Sequence, residues 1–255
     1  FLEIYEKIGA LLRTPEAWSE AVYLAATSAA AESNIRYVEY FVTTTASPSI
    51  GYRDILDGLV AGAQRAYSER GIVVRYIPSI YRNQGPAVGS AMIADVTRYP
   101  SPYVVGIGID GDERIGPLPE FRAAYELARE SGVPITAHIG EHGDVDEVAY
   151  AIGTLAVDRI DHGYAILYDP SLVAAAREAG THFATSWLSI LSNPDVFDDG
   201  VIGRMLDAGL SVSVGSDDPA MAGSSLSADL SNMAERLGLD MDQVCAMNES
   251  ALDAA

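Results

Sequence analysis

The sequence predicts an α/β protein with a mostly parallel sheet. β-branched apolar runs alternate along the chain with helical patterns, the signature of strand–helix–strand units. Several of these runs directly follow a helix closed by glycine, at Arg70-Gly71, Ser131-Gly132, Ala179-Gly180 and Ala208-Gly209. With 255 residues, 49% of them hydrophobic, the chain is long enough to bury a sizeable core as a single domain over 1–255.

Taken in order, Thr14-Pro15 opens a helix, a cap residue followed by proline in the first turn. Strands are expected over 35–43, 72–79, 103–109, 134–138, 159–161, 181–185 and 210–214. Helices are expected to begin near Gly51, Gly85, Pro117, Gly143, Pro170 and Asp198, and two more fill the stretch from Ser225 onward. That makes seven strands. An eight-stranded closed barrel needs one more, expected before Phe1; the alternative is an open doubly wound sheet.

Composition removes several classes of function. The formal net charge is −20 and is spread along the chain, a field that repels nucleic acid and anionic membrane. The single cysteine, Cys245, forbids an intramolecular disulfide and a cysteine-based zinc site. No apolar run approaches the ~18 residues of a membrane helix, and no signal peptide is visible, so a cytoplasmic location is expected. The only lysine is Lys7.

The chemistry-bearing residues gather just past strands. His138 closes one strand and Glu141 follows in its loop. His162 lies past the next, Asp217 and Asp218 past another, and Gly111, Asp112 and Glu113 past a fourth. In parallel α/β folds the C-terminal strand ends line one face, where active sites form. Each residue alone has an ordinary structural explanation: a hydrogen-bonded histidine, a turn, a helix cap. Their joint placement points to a site. Imidazole and carboxylate suit a catalytic divalent metal, with a nearby glutamate handling protons. His142 is expected to point away from the pocket, and His182 to sit at the opposite end of the sheet.

These stretches resemble the motifs of the adenosine deaminase family within the amidohydrolase superfamily. HIGE at 138–141 is similar to its HAGE motif, RIDHGY at 159–164 to its RxxHG segment, SDDPA at 216–220 to its (S/T)DDP segment, and GIDGDE at 108–113 to its purine-contacting loop. The order and spacing of all four agree. The resemblance implies a zinc-dependent (β/α)8 barrel of the metal-dependent hydrolase type, without its first strand in this chain. It implies hydrolytic deamination of a 6-aminopurine nucleoside, most simply adenosine, with adenine or a modified aminopurine as the alternative substrate. By the same resemblance His138 and Asp217 bind one Zn2+ and Glu141 protonates the purine ring. His162 orients and deprotonates water, Asp218 holds that water and contacts the base, and the backbone of Gly111 contacts the base's other edge. The partner is then a small purine, not nucleic acid or membrane.

Three departures qualify the resemblance. The family's HxH metal pair has no counterpart here, which together with the missing strand predicts that the natural chain begins earlier. Ser186-Trp187-Leu188-Ser189 replaces a CP(T/W)S-like segment, and Ile139 replaces the alanine of HAGE. Other readings are weaker. Gly106-Ile107-Gly108-Ile109-Asp110-Gly111 matches GxGxxG, but Asp110, Asp112 and Glu113 would repel a phosphate there. A carboxylated-lysine bimetal centre has only Lys7 to draw on, and the cysteine-ligated deaminases need more than one cysteine. A purine-binding barrel without turnover would have little use for Glu141, His162 and Asp218 together.

Overall fold

The structure, a computed structural model, describes residues 2–255. All seven expected strands are present and all strand pairs are parallel. The chain divides into two compact units.

The first unit runs to Gly116 and includes Glu120–Ile135. Its sheet has the order β1 (Tyr37–Val42), β2 (Val73–Tyr81), β3 (Gly108–Asp110). The third strand is shorter than the expected 103–109, because this segment changes partner midway. Tyr103 and Val105 exchange backbone hydrogen bonds with Tyr76, while Ile107 turns to the carbonyl of Pro134. Helices Pro15–Ser33 and Tyr52–Arg70 are bounded as the sequence predicts, with Thr14 accepting from the Ala17 amide and Gly71 closing the second helix at φ 69°. They approach closely at Gly58, where a Cβ would stand 2.3 Å from the Pro15 carbonyl oxygen. The helix Leu2–Gly9 was not expected; none of its side chains is fully buried.

The second unit comprises 117–119 and 136–255. Its sheet runs β4 (Thr136–Ile139), β5 (Arg159–His162), β6 (His182–Ser186), β7 (Ser211–Gly215) in sequence order. The register sorts the side chains sharply. Ala137, Ile139, Ile160, Phe183, Val212 and Val214 fall on one face and are buried. Thr136, His138, Arg159, Asp161, His182, Ser211 and Ser213 fall on the other. A parallel sheet covered on both faces is ordinarily apolar throughout. Here the apolar face supplies the hydrophobic stabilisation, roughly 1.5–3 kcal/mol per large side chain, and the second face is left to polar groups. No helix among the described residues is long and apolar enough to cross a membrane.

Candidate active site

The site is built at the C-terminal ends of β4, β5 and β7. His138 is the penultimate residue of β4, on the polar face, in register with Asp161. The chain then reverses at Gly140, φ 72°, where a Cβ would meet Val148 at 2.7 Å and the Gly163 backbone at 3.2 Å. Only glycine fits this turn, and it brings Glu141 back beside its own strand. Glu141 Oε2 lies 3.3 Å from His138 Nε2.

His162 requires a local break in the strand. Its register partner is Ile139, so regular alternation would send its side chain to the apolar face, away from His138. Its φ is instead 65°, in the left-handed region that a bulky residue seldom adopts. The imidazole thereby meets the His138 ring edge-on, centroids 4.4 Å apart. Such strain persists only where the surroundings fix it, and here they do. Nδ1 of His162 lies 3.3 Å from the Tyr164 hydroxyl and 3.2 Å from Ser189 Oγ. Tyr164 gives its own proton to the Ser186 carbonyl at 2.9 Å, so towards His162 it can only accept. Burial pushes the Tyr164 phenol pKa up, which keeps it protonated.

Asp217 also has a left-handed backbone, φ 55°, and its Oδ2 stands 4.0 Å from His162 Nε2. Asp218 follows at the start of the short helix Pro219–Ala222, accepting the Met221 and Ala222 amides through its carbonyl while its side chain caps nothing. Gly111 belongs to the first unit, just past β3 with φ 95°. A Cβ there would stand 2.4 Å from Asn83 Oδ1, and the positive φ strains any other residue.

Among the sequence-predicted residues, the structure thus brings together His138, Glu141 and His162, whose ligand-type atoms lie within 4.8 Å of one another, with Asp217 beside His162. The expectation that His142 turns away is not met: its Nδ1 comes within 3.7 Å of Glu141 Oε2. His182 sits at the N-terminal end of β6, as expected, between the hydroxyls of Ser211 and Ser213, each 2.8 Å from a ring nitrogen. Burial raises the Glu141 pKa, but His162 and a hydrogen bond with His138 outweigh it, and the carboxyl ends well below its usual range. Three residues with no assigned role, Tyr164, Ser189 and Asn193, hold this site from behind. Asn193 donates to Glu141 Oε1 at 3.3 Å.

The family model described as adenosine deaminase matches residues 1–255. The chain belongs to the adenosine deaminase family. Among its relatives is the aminodeoxyfutalosine deaminase of Acidothermus cellulolyticus, 36% identical over 200 residues, covering 75% of this chain and 56% of the relative. The match thus spans little more than half of that protein. The adenine deaminase of Chlorobium luteolum is 31% identical over 262 residues, covering all of this chain and 75% of the relative. A solved amidohydrolase from Burkhoderia ambifaria, with bound Zn, superposes with a TM-score of 0.90 at 31% identity over 97% of this chain and 71% of that one. Family membership carries with it the expectation of a divalent metal. The donor chemistry here fits one: neutral imidazole and carboxylate groups converge at strand ends, and they are nitrogen and oxygen donors of the kind zinc accepts.

Proposed function

We propose that the chain carries the catalytic centre of a zinc-dependent hydrolase that replaces the 6-amino group of an aminopurine with oxygen and releases ammonia. The observation that carries this reading is the convergence of His138, Glu141, His162 and Asp217 at the C-terminal strand ends of one sheet, with two of the four on strained backbone. Strain of this kind costs of order 1–3 kcal/mol per residue and collects at functional sites.

His138 and Asp217 would hold the zinc. The chemistry a bound zinc supplies is acidification of water, towards a pKa of ~7, so that a nucleophile exists at neutral pH. The remaining steps belong to the protein. His162 carries its ring proton on Nδ1, towards Tyr164, and offers Nε2 to take a proton from the attacking water. Glu141 delivers a proton to the ring nitrogen beside the attacked carbon, neutralising the charge that develops there. Asp218 would contact the purine and the water. Water in and ammonia out balance the reaction.

The finer assignment of substrate rests on less. The Gly111-Asp112-Glu113 stretch favours a nucleoside such as adenosine, while the names of the relatives fit adenine or a modified aminopurine equally well. Ammonia release by the zinc-loaded full-length protein, measured on adenosine, adenine and aminodeoxyfutalosine in parallel, separates these. Turnover of one substrate at least tenfold above the others assigns it; no release from any of them contradicts the proposal.

A further inference from the structure

We infer that Asn193 is a positioning residue for Glu141, and that it fixes which oxygen of that carboxyl faces the pocket. The inference rests on the deaminase reading of the site and concerns a residue that no motif marks. Asn193 caps the short helix Trp187–Ser192, which leaves the end of β6 and begins with Ser186 accepting the Ser189 amide at 3.2 Å. Its backbone is tied down on both sides: its N–H bonds the Ile190 carbonyl and its carbonyl accepts the Val196 amide, at 3.1 and 3.0 Å. The side-chain amide is therefore presented from a fixed point.

Both protons of that amide are in use. Nδ2 reaches the Ser189 carbonyl at 3.1 Å and Glu141 Oε1 at 3.3 Å. Each partner is a pure acceptor as placed, so the NH2 group must face them; the flipped amide would set oxygen against two oxygens. Glu141 has its two oxygens divided as a result. Oε1 is held by Asn193, while Oε2 faces the imidazoles of His138 and His142 at 3.3 and 3.7 Å. With Oε1 held, the carboxyl cannot rotate about its last bond without losing a hydrogen bond, and Oε2 stays the oxygen available for proton transfer.

The same helix steadies the other proton-handling residue. Ser189 Oγ contacts His162 Nδ1, and Ser189 is also the residue whose carbonyl anchors Asn193. One short helix thus braces side chains delivered by two different strands. This gives a role to the segment that departs from the family pattern, where Trp187 is buried and the contacts to the site come from Ser189 and Asn193.

The test compares wild type with Asn193→Ala and the isosteric Asn193→Asp, using the full-length zinc-loaded protein and the aminopurine it turns over fastest. Loss of a hydrogen bond to a carboxyl group is expected to lower kcat about 10- to 100-fold. Asn193→Asp should be the worse of the two, since it sets a carboxylate against Glu141, and KM and melting temperature should change little in either. Wild-type kcat in Asn193→Asp would overturn the inference, as would a fall in kcat that merely follows a matching loss of thermal stability. An NMR measurement decides the contact without turnover. The Asn193 side-chain NH2 signals, identified by their loss in Asn193→Asp, should shift in Glu141→Gln; unmoved signals would overturn the inference. If wild type deaminates nothing, the functional reading fails, and the amide signals still decide whether Asn193 holds Glu141.

Discussion

At the N-terminal end of the β4–β7 sheet, His182 sits on regular strand with a serine hydroxyl on each ring nitrogen. At the C-terminal end of the same polar face, His138 and His162 meet edge to edge beside two carboxylates. Burial, and then the positive charge of Arg159, lowers the His182 pKa to about 4, so this ring is neutral and fully partnered by neutral groups. The pair at the other end is different in kind. It needs a left-handed residue to exist at all, carboxylates lie beside it, and one ligand-type atom from each ring lies within 4.8 Å of the other and of one from Glu141. His182 is satisfied within the fold on both nitrogens, whereas His162 is held through Nδ1 and its Nε2 faces Asp217 at 4.0 Å.

That contrast yields predictions of decreasing size. Glu141→Gln keeps the shape of the side chain but removes the proton donor, and is expected to lower kcat by about 10²–10⁴-fold with metal content unchanged, read by steady-state kinetics and metal analysis. Tyr164→Phe removes the acceptor that sets the His162 ring proton. A drop in kcat of about tenfold is expected, with KM nearly constant and some loss of melting temperature from the stranded Ser186 backbone groups. His182→Ala, at the other end, should behave oppositely. It strands the buried Ser213 hydroxyl and opens a void, costing about 1–3 kcal/mol in denaturant unfolding, while turnover at moderate temperature is retained.

A last prediction, outside that ordering, concerns pH dependence. A group with its folded-state pKa lowered contributes stability that is complete above its unfolded value and is lost as pH falls. For His182 that window runs from 6.5 down to about 4. Wild type should therefore lose up to ~3 kcal/mol relative to His182→Asn across it. The difference between the two proteins isolates this residue from the carboxylates that titrate nearby, and parallel unfolding curves at every pH would contradict the assignment.

Much of this was legible in the sequence because strand ends punctuate parallel folds. The β-branched runs placed all seven strands, and His138, Glu141, His162, Asp217 and Asp218 stood out by following them. Gly140, between His138 and Glu141, makes the tight turn at φ 72°. What stayed hidden depends on long-range geometry. Nothing local says that His162 breaks alternation, apart from the glycine that follows it. The shortened β3 reflects a change of hydrogen-bond partner at Ile107, which depends on where Pro134 lies. Asn193 is 52 residues from Glu141, and its only local mark is the four-residue spacing from Ser189. His142 looked incidental because strand alternation stops at Gly140 and gives no rule for the loop.

The most direct test of the account is zinc content per chain, measured on full-length wild type and on His138→Ala, Asp217→Ala and His182→Ala after removal of loosely bound metal. The account predicts about one zinc in wild type and in His182→Ala, and a sharp loss in His138→Ala and Asp217→Ala. Zinc retained in His138→Ala and Asp217→Ala, or lost equally in His182→Ala, would contradict the division of this sheet into a chemical end and a structural one.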